Sequence, residues 1–182
     1  MNLYILRHAS AGTRRSNPKL DTHRPLDKDG KRYCMQLGNA LTAMKVHFDL
    51  VVSSPLKRSL QTAALVGTET GYEQRIVLSD ALRPEAQYAD FLQMVTECMD
   101  LENVMVVGHN PNLTHFLNLL LVNATADSAR LRTASVRLRK GTIARISIER
   151  GSATLQWMLD PRITRALYAS STSSSRRKTS RK

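Results

Sequence analysis

The chain predicts an α/β domain: a mostly parallel central sheet with helices on both faces, and antiparallel strands near the C-terminus. Three observations predict it. Short apolar runs such as LYIL, DLVVSS and NVMVV alternate with longer stretches of helical apolar spacing. Two of those runs stop at a histidine, at His8 and His109. The last third changes character and reads as strands in succession.

The elements follow in order. LYIL at 3–6 is the first strand, and residues 28–46 place Tyr33, Leu37, Leu41 and Met44 on one helical face. DLVVSS at 49–54 is the second strand. A helix follows it at once, with Ser54 as the expected N-cap, Pro55 at the first helical position, and Gly67 or Gly71 as the stop. RIVLSD at 75–80 is a third strand, and residues 88–99 form a helix with Phe91, Leu92 and Val95 on one side. NVMVVGHN at 103–110 is a fourth strand. NLTHFLNLLLV at 112–122 then sets Leu113, Phe116, Leu117, Leu120 and Leu121 on an amphipathic helix. SVRLR, TIARISIE and ATLQWMLD read as strands, the last two joined in a hairpin by RGS.

At 182 residues the chain is expected to form one domain over residues 1–169, long enough to bury a proper core. Residues 170–182, SSTSSSRRKTSRK, contain no apolar side chain and are expected to be a disordered basic tail. Five of the twelve net positive charges lie in that tail, which leaves +7 on the domain and points to an anionic substrate or partner. Cys34 and Cys98 lack metal-type spacing and suit buried packing in a reducing compartment. The N-terminus has no basic n-region or long h-region, and FLNLLLV is far too short to cross a bilayer. A cytoplasmic location is expected.

In an open parallel sheet the site forms beyond the carboxyl ends of the strands. Arg7-His8, the SSP turn at 53–55 and His109-Asn110 all fall at that edge. Arg7 and Arg58 offer planar guanidinium forks that match paired phosphate oxygens. The first turns of the two helices that follow the SSP turn and Asn110 would add amide donors and positive dipole ends. His8 and His109 add two imidazoles, one of which could attack phosphorus while the cations neutralise the equatorial oxygens. The small residues Ala9, Ser10, Ala11 and Gly12 are expected to keep the approach to His8 open. Gln61 and Thr62, one turn beyond Arg58, are expected to support it. A metal is not expected, because the arginines would repel a divalent cation, and no other cofactor is implied.

LRHASAG, DTHRPLDKDG, VVSSPLKRSLQTA and VVGHNP together resemble the histidine phosphatase superfamily, also called the phosphoglycerate mutase-like fold. The resemblance covers roughly residues 2–160 and is strongest to the SixA-type phosphohistidine phosphatase branch; Ala9, where many members have glycine, agrees with that branch. It implies that His8 is the phosphorylated nucleophile and that Arg7, Arg58 and His109 complete the phosphate pocket, with Arg24 beside it. A general acid is implied after the third strand, where Asp80 fits best by position and Glu85 is the alternative.

The expected function is a metal-independent phosphohistidine phosphatase in signal transduction, acting as a monomer on a phosphorylated protein through phospho-His8. Small phosphate monoesters or nucleotides are the alternative substrates. A phosphate- or nucleic-acid-binding module working through the basic tail is the alternative of another class.

Overall fold

The computed structural model describes residues 1–122 and 136–169. Six strands build one sheet: β1 (Asn2–Arg7), β2 (Leu50–Ser53), β3 (Val77–Leu78), β4 (Asn103–Gly108), β5 (Ile143–Glu149) and β6 (Ser152–Leu159). Their spatial order is β3-β2-β4-β1-β5-β6. The first four run parallel, while β5 and β6 add antiparallel beside β1. The helices are α1 (Pro18–Thr22), α2 (Lys28–Ala43), α3 (Lys57–Glu69), α4 (Tyr88–Glu97), α5 (Asn112–Val122) and α6, over residues 161–169.

Alternation along the strands divides the core in two. Leu3 and Ile5 of β1, with Val104 and Val106 of β4, pack under Phe91 and Val95 of α4 and Leu113, Phe116 and Leu117 of α5. Tyr4 and Leu6, with Met105 and Val107, face Tyr33, Leu37 and Leu41 of α2 and Ala63 and Val66 of α3. A strand buried on both faces must be apolar throughout, and this is why LYIL and VMVV read as continuous runs. The path β1→β2→β3 moves one way across the sheet with α2 and α3 on one face. The return to β4 brings α4 over the other face, as right-handed crossovers require. Cys34 and Cys98 are free and belong to opposite core layers. Burial pushes the Cys34 thiol up to about 12.

Three expectations are corrected. RIVLSD contributes only the two-residue edge strand Val77–Leu78. Ser54 does not cap α3: the helix starts at Lys57 after Leu56, and of the two candidate stops Gly71, at φ 75°, follows its C-cap Thr70. Within SVRLR, residues 136–139 are not strand. Their backbone is held instead by side chains: Val136 N–H donates to Asn118, and the Leu138 carbonyl accepts from Arg7 and Asn110. Helices α1 and α6 had no counterpart in the sequence reading. The hairpin reading holds, with Arg150 and Gly151 at φ 50° and 78° as a two-residue turn between β5 and β6.

One close approach shapes the site. The loop after β1 passes so near the first turn of α2 that a Cβ on Gly30 would lie 2.0 Å from the Ser10 carbonyl oxygen. Asp27, the N-cap of α2, accepts from Gly30 N–H at 2.7 Å and from the Ser10 hydroxyl at 2.6 Å. The backbone that carries His8 is thereby tied to the start of a sixteen-residue helix. The tail at 170–182 lies outside the described residues.

Candidate active site

The carboxyl ends of β1, β2 and β4 are adjacent because β4 lies between the other two. A cavity of about 1240 Å³ opens beyond them and is lined by Arg7, His8, Arg24, Arg58, His109 and Glu85, among others. Asp80 is not in that lining; it is exposed and pairs with Arg83.

His8 is held from three sides. Its N–H donates to the Gly108 carbonyl at 3.0 Å, which ties it to the end of β4. The next amide, Ala9 N–H, donates to Thr62 Oγ1 at 3.1 Å, and the Thr62 hydroxyl donates to the Arg58 carbonyl at 2.7 Å. Thr62 thus joins the loop that carries His8 to the helix that carries Arg58, while Gln61 accepts from Leu26 N–H and steadies the following loop. The His8 Nδ1 lies 2.7 Å from the Ala9 carbonyl, which can only accept. The proton therefore resides on Nδ1, and the Nε2 lone pair is free to attack. Burial, then the charges of Arg58, Arg7 and Lys140, push His8 down to about 3.

His109 follows the last residue of β4, its ring centroid 5.0 Å from that of His8. Its Nε2 lies 2.9 Å from Ser54 Oγ, while Ser54 Oγ also accepts from Leu56 N–H at 3.4 Å. A Ser54 hydroxyl that donates to Nε2 leaves the His109 proton on Nδ1, a buried atom with no protein partner. Burial and then His8, Arg58 and Arg7 lower His109 to about 2.

The two central arginines are anchored at one nitrogen each. Arg7 donates from Nη1 to the Leu138 carbonyl at 2.9 Å, and Arg58 donates from Nη1 to the Asp21 carbonyl at 3.0 Å. The Nε atoms of both are buried and unpartnered. With His109 Nδ1, three of the four unpartnered buried side-chain polar atoms recorded for the described residues belong to this one cavity. Each such donor costs about 1–3 kcal/mol until something accepts from it. An anion such as a phosphoryl group would bring acceptor oxygens and the opposite charge to residues of this kind.

Asp21 is the site residue that the sequence reading missed. Its carboxylate accepts from Arg24 Nε at 2.8 Å and meets Arg58 Nη1 at 3.4 Å, so it braces two cavity arginines. The hydrogen bond from Arg24 is the main reason that it is held at about 2, far below the usual carboxylate range. Arg24 also donates to the Gly12 carbonyl at 2.8 Å. No sequence signal separates Asp21 from other acids, since its role depends on the fold bringing α1 within reach of Arg58. The small residues after His8 are also corrected in part. Ala9 packs in the core and Ser10 bonds Asp27, so only Ala11 and Gly12 of the four line the cavity.

A testable consequence concerns protonation. In a long-range ¹H–¹⁵N NMR titration from pH 8 to pH 5, both rings are expected to remain neutral with the proton on Nδ1. A midpoint near 6.5 for either histidine would contradict the site as described. The same shifts make stability fall as the pH is lowered below about 6.5, because the unfolded chain takes up these protons there and the folded chain only near 2 to 3.

Among the described residues no group of three His, Cys, Asp or Glu is placed to hold a metal ion. No helix among them is long and apolar enough to cross a membrane.

Comparison with known proteins agrees with this geometry. The family model described as histidine phosphatase superfamily (branch 1) matches residues 3–100. An uncharacterized protein of Picosynechococcus sp. is 28% identical over 149 residues, covering 80% of this chain and 88% of its own. The protein histidine phosphatase SixA, solved with tungstate, superposes with a TM-score of 0.74 at 23% identity, covering 88% of this chain and 97% of that one. A protein from Nakamurella multipartitia assigned as phosphohistidine phosphatase SixA gives 0.69 at 27%, over 88% and 95%. The alpha-ribazole phosphatase of Shigella flexneri gives 0.64 at 18%, over 88% and 97%.

Proposed function

The chain belongs to the histidine phosphatase superfamily and is a phosphatase, and from that premise we propose that its substrate is a phosphohistidine side chain on a protein. The observation that carries this reading is the state of the carboxylates around the cavity. Asp21 is held ionised by Arg24 and Arg58, and Asp27 by Ser10 and the start of α2. Glu85 is exposed and lies 3.8 Å from Arg83. Among the described lining residues, none is a buried carboxyl able to hold a proton for a leaving alcohol. A phosphorylated imidazole does not need one.

In the first step His8 Nε2 attacks phosphorus and the substrate P–N bond breaks. Its electron pair returns to the substrate ring, which leaves as a neutral imidazole because its other nitrogen already carries a proton. Arg7, Arg58 and the His109 Nδ1–H face the charge on the phosphoryl oxygens throughout. In the second step water attacks phospho-His8, and the Nδ1–H held by the Ala9 carbonyl lets His8 depart as a neutral imidazole in turn. Both hydrogens of the water leave with the product as dihydrogen phosphate, which then gives one proton up to solvent.

A small phosphate monoester is the second reading. It is favoured by the presence of Glu85 in the lining and by the shared fold with alpha-ribazole phosphatase. A panel of a phosphohistidine peptide, phosphoramidate and glycerol phosphate separates the two. The P–N compounds are expected to exceed the alkyl phosphate in kcat/KM by about 10²-fold or more. Equal or better turnover of glycerol phosphate would overturn the phosphohistidine reading.

A further inference from the structure

The cavity carries more positive charge than one phosphoryl group requires. Arg14, Arg15, Arg137 and Lys140 are all exposed, and none has an ion-pair partner among the described residues. Arg14, Arg15 and Lys140 line the mouth. Arg137 is near enough to Arg7, Arg14 to Arg58 and Lys140 to His8 for each to lower its neighbour's affinity for protons. The rim comes from two segments far apart in sequence: the loop after β1 and the stretch that leads into β5.

Resting on the phosphohistidine reading, we propose that this rim is a docking surface for an acidic face of the protein that carries the phosphoryl group. Arg58, which is buried, and Arg7, which is half-buried, already serve the dianion, so the rim charges act on whatever surrounds it. They are solvated and spread over two segments, with no buried side chain to define a niche for a second phosphate. That arrangement suits an extended acidic surface more than a small bisphosphate. The lining contains no Phe, Tyr or Trp, so a single-stranded nucleic acid would find no stacking platform. Opposite charge around a recessed nucleophile raises the encounter rate and orients the partner, with an effect that salt weakens.

The test compares two phosphohistidine peptides of equal length, one flanked by glutamates and one by glutamines, with phosphoramidate as a substrate that has no flanks. At about 20 mM salt the acidic peptide is expected to show a kcat/KM about tenfold or more above the neutral one, an advantage that shrinks at about 500 mM. In an Arg14→Gln/Arg15→Gln variant the ratio of kcat/KM between the two peptides is expected to fall toward one, with phosphoramidate, itself an anion, reporting any loss common to all substrates. Equal rates on the two peptides, or an advantage that survives the double variant, would overturn the docking surface and leave the phosphohistidine reading intact. If neither peptide is hydrolysed, that reading fails. Docking is then decided by fluorescence anisotropy of the same peptides without phosphate: tighter binding of the acidic one supports it and equal binding overturns it. An RNA oligonucleotide that binds more tightly than the acidic peptide also overturns it, in favour of nucleic acid.

Discussion

His8→Ala is expected to lower kcat for phosphate release from a phosphohistidine peptide by about 10³-fold or more, with the far-UV circular dichroism unchanged. The size of the loss follows from the division of labour in the cavity. In the proposed mechanism Arg7, Arg58 and His109 bind charge, and His8 combines a free Nε2 lone pair with a proton fixed on the other nitrogen. An unprotonated nucleophile at neutral pH is costly to arrange among cations, and the burial that pushes His8 down to about 3 is what arranges it. The fold survives because the contact that locates residue 8 is its main-chain N–H to Gly108, which alanine keeps.

Arg58→Ala is expected to cost about 10²–10³-fold in kcat/KM, read on the same peptide. Arg58 is 5% exposed, so its charge acts with little screening by solvent. The loss has a second part, because Asp21 then keeps only Arg24 as a cationic partner and its carboxylate adds uncompensated negative charge beside the phosphoryl site. Arg58→Lys should recover only part of the activity, since an ammonium restores the charge without a fork that bonds Asp21 and a phosphoryl oxygen together. Full activity in Arg58→Lys would show that charge alone matters and that the bracing by Asp21 does not.

The central strands were legible because burial on both faces leaves an unbroken apolar run, and His8 and His109 were legible because each ends such a run. Arg58 was legible from its place near the start of the helix after SSP. Residues that act through tertiary bonds were not. Asp21 braces arginines from the short helix α1, thirty-seven positions away from Arg58. Ser54 reads as a helix cap in sequence, but its hydroxyl is engaged with His109 fifty-five positions on. SVRLR has the alternation of a strand, yet Leu138 is buried with its carbonyl taken by Arg7 and Asn110, so one face of the pattern is real and the ladder is absent. Asp80 illustrates the opposite error. Its position after the third strand favoured it, yet Asp80 itself stays out of the lining and pairs with Arg83, which is part of it.

The central claim is that the phosphoryl group passes through His8. The most direct measurement is a rapid quench into alkali, followed by mass spectrometry of the peptide that contains residue 8. The account predicts a transient mass increase of one phosphoryl group on His8 Nε2, formed before phosphate is released and absent from His8→Ala. Phosphate release by the wild-type protein with no label on His8 at any time, or label on His109 instead, would contradict it.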